Sequence, residues 1–207
     1  MITVSELMEI NESTVRKASE ILNKNDLPQI MGWLAEKDQK IRDRALLLLR
    51  NRSLHSDDIY PFWDVFREML KNRDPELKGM GAVLIAANTR WDRENKIDDA
   101  IEDYLSCLND RNQTVAQQCI QALHEIIPYK KHLRTTIADG LINIPLSSFE
   151  KTRQKPLLVD ILGALVVIRE GLYPDEVEQY ISMALAGSIL DQEDKKQIKS
   201  RMGYTIF

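Results

Sequence analysis

The sequence predicts an all-α chain assembled from a repeated antiparallel pair of helices. Three observations carry that expectation. Apolar residues advance by three and four nearly everywhere, as in Ile59, Phe62, Trp63, Phe66, Met69 and Leu70, which is the spacing of one helix face. No run sustains strict alternation, and only 8 Gly and 7 Pro stand among 207 residues, too few for the frequent turns of an all-β fold. Most decisively, one pattern recurs. Ile41, Ala45 and Leu48-Leu49 are matched 36 residues later by Leu77, Gly81 and Leu84-Ile85, and 38 residues further on by Val115, Cys119 and Ala122-Leu123. A looser copy, Leu157, Ile161 and Ala164-Leu165, follows after another 42.

Taken in order, residues 1–25 form an N-terminal cap, with one or two short helices over 3–23 that bury Val15, Ala18, Ile21 and Leu22. Helical pairs are expected at about 26–52, 57–89, 95–128, 131–170 and 174–202, the whole chain 1–207 making a single domain. The first helix of each of the four earlier pairs is expected at Asp26–Glu36, Asp58–Lys71, Ile97–Leu108 and His132–Ile142. Short polar segments separate the helices: Asn-Lys-Asn-Asp at 23–26, Arg-Ser-Leu-His-Ser at 52–56, Thr-Arg-Trp-Asp at 89–92 and Pro-Tyr-Lys-Lys at 128–131. An Asp stands before the second helix in three pairs (Asp38, Asp74, Asp110), where its carboxylate can accept the orphan N–H groups of the first turn. The final pair, Pro174–Ile189 and Gln192–Met202, places Val177, Tyr180, Ile181, Ala184 and Leu185 inside. The apolar tail Gly203-Tyr204-Thr205-Ile206-Phe207 is expected either to dock on that pair or to serve as a sticky tail for a partner or symmetry mate.

A pair of about 35 residues cannot bury its apolar stripe alone, so each must pack on its neighbours, and the expected architecture is a right-handed α-solenoid of about five antiparallel pairs. The small residue midway along the second helix (Ala45, Gly81, Cys119) allows close approach of two backbones. The pattern D-x-x-[IV]-[RK]-x-x-[AG]-x-x-x-L in that helix resembles the HEAT repeat, of the armadillo-type helical solenoids. Asp38, Ile41, Arg42, Ala45 and Leu49 give the best copy, and Asp74, Leu77, Lys78, Gly81 and Ile85 the second. The third departs, with Ala116 in place of the basic residue and Asp110 further from the apolar position. The resemblance covers about residues 26–170 and implies the fold; such solenoids serve many functions.

The search for reactive chemistry is largely empty. Three histidines, His55, His124 and His132, include no i, i+4 pair of the kind that holds a metal on a helix. No HExxH, CxxC, GxSxG, P-loop or GxGxxG motif occurs, so neither a metal nor another cofactor is expected. Cys107 and Cys119 lie at apolar helical positions and read as buried thiols. Asp99 and Asp103, at i, i+4 within an acidic run, could hold a cation or form an acid/base pair, or simply line a solvated face. Trp33 and Trp63 sit on apolar stripes and read as core. Trp91, between charged Arg90 and Asp92 in a connector, is either a recognition residue or a plug between repeats.

Net charge is −4 and the sequence pI about 5.5, which removes the global basic footprint of a nucleic-acid binder. The charge is uneven, however. Lys130, Lys131, Arg134, Lys151, Arg153 and Lys155 face only Asp139 and Glu150 in their segment, whereas Glu170 to Asp194 holds seven acidic residues and no basic one. Basic residues near helix starts oppose the helix dipole, an arrangement that suits a bound anion, a phosphate or an acidic peptide. The alternative is that they pair with the acidic segment or lie in solvent. The apolar stretch Leu157–Ile168 is too short to span a bilayer, and the opening MITVSELMEI lacks a basic n-region and long apolar core, so a cytoplasmic chain without membrane contact is expected.

The expected function is a non-catalytic scaffold or adaptor that binds a partner protein, a helix or an extended acidic segment, on the surface of the second helices. Candidate binding residues are Arg42, Trp91, Gln118, Gln121, Lys130, Lys131, Arg134, Lys151, Arg153 and Lys155. The HEAT resemblance also implies an alternative, a nucleic-acid-binding enzyme of the alkylated-base DNA glycosylase type, for which Trp91-Asp92 would be the reactive corner. HEAT-like tetrapyrrole lyases are a third class, but no chromophore pocket or nucleophilic cysteine is legible.

Overall fold

The computed structural model describes residues 1–170 and 175–203, and among them every regular element is helical. Twelve α-helices run in order: α1 (Val4–Glu9), α2 (Val15–Ile21), α3 (Leu27–Trp33), α4 (Gln39–Ser53), α5 (Trp63–Leu70), α6 (Pro75–Asn88), α7 (Ile101–Ser106), α8 (Gln113–Ile126), α9 (Arg134–Ile142), α10 (Lys151–Arg169), α11 (Asp175–Ala186) and α12 (Gln192–Arg201). The protein is all-α. Pro174 and the tail residues Tyr204 to Phe207, for which the sequence raises a docking role, lie outside the described residues.

The first helix of each pair is shorter than its apolar spacing suggests. Where the periodicity spans Asp58–Lys71, a 3-10 turn at Tyr60–Phe62 precedes α5, and the stretch 97–108 divides into 3-10 turns on either side of α7. The i, i+3 spacing of a 3-10 turn keeps apolar residues on one face nearly as well as an α-helix does, so the two cannot be separated by periodicity alone.

Second helices begin on capped turns. The Asp38 carboxylate accepts from Lys40 N–H at 2.9 Å, and the Asp74 carboxylate accepts from Glu76 N–H at 2.9 Å with Pro75 in the first turn. In the third pair the expectation for Asp110 is corrected. Asn112 caps α8, accepting from Thr114 and Val115 N–H, while Asp110 lies two residues earlier and accepts from Asn112 N–H at 2.8 Å. Asn72 plays that earlier part for Asp74, at 2.9 Å. The third repeat thus keeps the geometry of the second with Asp and Asn exchanged, because either side chain can accept from a helix N-terminus.

The chain divides into two compact units, Met1–Asp103 and Tyr104–Phe207, the boundary falling inside α7. In the first, α4 packs against α1, α2, α3 and α6, and α5 lies along α6. Helix α6 is buried over most of its length, and Gly81 shows why the contact with α5 is close. A Cβ on it would stand 2.7 Å from Met69 Cβ and 2.8 Å from the Phe66 carbonyl oxygen. In the second unit, α10 is the hub, packing against α8, α9, α11 and α12. Trp33, Trp63, Cys107 and Cys119 are all buried in their respective cores.

Several expected core positions are less buried than their spacing predicts, Ala18 and Leu22 among them. Ile21 is 76% exposed, and Ser19 is buried in its place, its hydroxyl donating to the Arg16 carbonyl at 2.7 Å. In α11 only Val177 and Ile181 are fully buried; Tyr180, Ala184 and Leu185 are partly covered.

Hydrogen bonds and ion pairs in both units join residues roughly one repeat apart. Arg42 meets Asp74 and Glu76, Asn88 bonds Ser53 and Tyr60 bonds Asp92 in the first unit; Gln121 bonds Asp160, Arg134 bonds Glu170 and Lys155 bonds Asp191 in the second. Side chains therefore tie positions about one repeat apart within each unit, most to another side chain and Arg134 to a backbone carbonyl.

Candidate functional site

Trp91 and Asp92 follow α6 in and after a short 3-10 turn, Thr89–Trp91, where the connector passes the end of α4. The indole Nε1–H donates to the Ser53 carbonyl at 2.7 Å, and the Arg90 guanidinium donates to the Leu54 carbonyl at 2.7 Å. Both satisfy carbonyls that a helix C-terminus leaves without an intrahelical partner. Asp92 is only 4% exposed and accepts three hydrogen bonds: from Tyr60 hydroxyl at 2.7 Å, Lys96 N–H at 2.8 Å and Ile97 N–H at 3.1 Å. Burial and then the Asp92 carboxylate hold the Tyr60 hydroxyl well above the ordinary phenol range. The Lys96 ammonium lies 5.1 Å from the Tyr60 ring centre. The polar groups of this corner are turned onto backbone atoms and onto one another, as in a structural joint.

Arg42, on α4, makes ion pairs with Asp74 at 3.9 Å and with Glu76, so its guanidinium holds the first turn of α6. On α8, Gln118 is half-buried and Gln121 is exposed, its amide donating to the Asp160 carboxylate of α10 at 2.9 Å.

The basic residues of 130–155 divide between the turn leading into α9 and the opening turns of α10. Lys130 and Arg134 are buried, 3% and 8% exposed, and Arg134 donates to the Glu170 carbonyl that ends α10, at 3.0 Å. Lys131 is exposed in the 3-10 turn leading into α9. Lys151, Arg153 and Lys155 stand in the opening turns of α10, and the nine residues of α9, about 13 Å of helix, intervene in the chain. Arg153 approaches Glu150 at 3.8 Å and donates to the Thr114 hydroxyl at 3.3 Å. Lys155 bridges Asp191 at 2.5 Å and Asp194 at 2.9 Å. Arg169 likewise pairs with Glu178 at 2.5 Å. Part of the charge asymmetry along the sequence is thus brought together in space, Lys155 of α10 against the acidic N-terminus of α12 and Arg169 against acidic α11.

Acidic Asp103 pairs with Lys71 at 3.4 Å and Arg67 at 3.9 Å, and the Asp99 carbonyl accepts from Arg67 at 2.7 Å. Among the described residues no three His, Cys, Asp or Glu side chains converge as a metal site. Nor is any helix of the described residues long and apolar enough to cross a membrane.

Ser53, Asn88 and Tyr60 were not legible as partners of these residues. The signal that could have found them is the period itself. Ser53 and Asn88 are polar residues 35 apart on second helices, and Asn88 donates to Ser53 at 3.1 Å in the buried interface of α4 and α6.

No family model matches the chain, and no curated protein matches it. Among solved structures it is similar to an engineered protein crystallised by the Northeast Structural Genomics Consortium, with a TM-score of 0.55 and 17% identity over 98% of this chain and 95% of that one. Likeness at this identity speaks for the fold alone, and it agrees with an all-α chain along nearly the whole length.

Proposed function

We propose that the repeated pairs form a HEAT-like α-solenoid of about five pairs that acts as a non-catalytic scaffold, binding a protein partner across the surface of its second helices. The observation that carries this reading is the regular joining of positions one repeat apart, from Arg42 with Glu76 to Lys155 with Asp191. Stacked pairs of this kind offer an extended recognition surface without a reactive centre. The disposition of the conspicuous side chains supports it as well. Arg42, Trp91, Gln121, Arg134, Arg153 and Lys155 are engaged by the fold and Lys130 is buried, which leaves Lys131 and Lys151 exposed and Gln118 half-buried in the candidate set. Asp92, the acid a glycosylase-type reading needs, spends its carboxylate on Tyr60 and two backbone amides.

Affinity capture from nuclease-treated native lysate, at low and moderate salt, tests the reading against the Gln118→Arg variant. The scaffold predicts a stoichiometric protein that survives nuclease and moderate salt and is lost from the variant. Recovery that depends on nucleic acid and collapses with salt overturns it in favour of the nucleic-acid enzyme.

A further inference from the structure

His124 is a half-buried imidazole that no part of the proposed scaffold surface uses, and its surroundings are unusual. It projects from α8 onto α10 at Gly163. A Cβ on Gly163 would stand 3.2 Å from His124 Cε1, 3.4 Å from its Nε2 and 3.5 Å from Arg201 Nη1 of α12. Imidazole and guanidinium therefore crowd around the one point on α10 where the side chain is a hydrogen atom. Helix α12 itself has a slender attachment. Ile198 is its single buried residue; Lys155 of α10 bridges Asp191 and Asp194, Lys195 donates to the Gly187 carbonyl at 2.7 Å, and Arg169 of α10 donates to the Met202 carbonyl at 3.4 Å.

We infer that His124 is an acid-sensitive latch for α12: neutral, it lets Arg201 seat beside it against α10, and protonated it releases the helix. The charged groups whose fields reach the ring are Asp160 of α10, which favours the imidazolium, and Arg201, which opposes it. Asp160 also accepts from Gln121, so its attraction is shared. Burial comes first, and with Arg201 it outweighs Asp160, holding His124 below the ordinary imidazole range while α12 is docked. Letting go of α12 removes Arg201 and admits water to the ring. The sign follows: docking is fully favoured above the ordinary imidazole pKa of about 6.5 and weakens as pH falls below it. The Lys155 bridge does not share this window, because its hydrogen bond to Asp191 holds that carboxyl down at about 2.

Hydrogen exchange of the whole chain, corrected for intrinsic rates and compared at pH 7.5 and 5.0, reads the latch. Protection of the α12 amides should fall several-fold at pH 5.0 while the buried amides of α8 and α10 keep theirs. His124→Gln should show the same α12 protection at both pH values. Arg201→Gln, an exposed substitution that leaves the core intact, should reduce the fall, and an NMR titration of the His124 Cε1–H should move towards the ordinary imidazole range in that variant. Protection of α12 that is unchanged with pH, a fall of equal size in His124→Gln, or a His124 titration indifferent to Arg201→Gln would each overturn the latch.

Discussion

At the scale of single residues, the positions most suggestive of chemistry prove to be joints, and Gly81 shows how specific such a joint is. In an isolated helix Gly81→Ala should gain about 1 kcal/mol of propensity. Here the added methyl meets Met69 and the Phe66 carbonyl at distances that force α5 and α6 apart. The expected outcome in urea unfolding is a net loss of about 1–3 kcal/mol, the usual cost of overpacking. The mid-helix glycine was legible as a close approach because its counterparts, Ala45 and Cys119, are also small. What it approaches was not legible, since periodicity fixes the face of a helix and not its partner. Trp91 illustrates the same limit. An aromatic among charges reads as a recognition residue or as a plug, and the Ser53 carbonyl that its Nε1–H meets at 2.7 Å has no signal in the sequence.

At the scale of elements, helix starts were readable where Asp and Pro mark them and misread where Asn does the same work. Asn112→Ala should cost about 1 kcal/mol in chemical denaturation, since it removes the acceptor for two amides of α8. An unchanged midpoint would remove Asn112 as the cap. The end of α2 gives a pH-dependent counterpart. Arg52 donates to the Ser19 and Glu20 carbonyls and bridges Asp58 at 2.6 Å. Burial pushes the Asp58 carboxyl up, but the Arg52 and Ser56 hydrogen bonds more than offset it, so it titrates below the ordinary range. A depressed carboxyl contributes stability above its unfolded pKa of about 3.9 and loses it as pH falls through the folded value. Asp58→Asn should therefore be less stable than the parent chain at pH 6, and the difference should shrink as pH drops from 5 to 2. A difference constant with pH would rule out the ion pair as its source. The basic and acidic segments, by contrast, were visible as charge runs, but their pairing across α10, α11 and α12 depends on how the last helices fold back, which no local pattern encodes.

At the scale of the whole molecule, an all-α fold was legible from the paucity of Gly and Pro and from the recurring triple, because both are consequences of helices that must bury a stripe against a neighbour. The distribution of polar side chains was not, because a residue that satisfies a neighbouring backbone and one that greets a ligand have the same sequence. The central claim is that the polar residues one would first suspect of chemistry serve instead to tie consecutive pairs. Asp92 is its sharpest case, and a double-mutant cycle of Asp92→Asn with Tyr60→Phe in urea tests it most directly. The account predicts that Asp92→Asn alone loses about 1.5–3 kcal/mol, as expected when a charged acceptor is removed and an amide donor is set against backbone N–H groups. The pair should also couple by at least about 0.5 kcal/mol, as residues in contact do. Stability that is unchanged or raised in Asp92→Asn would mark the residue as one held for a ligand at the expense of the fold, and would contradict the account.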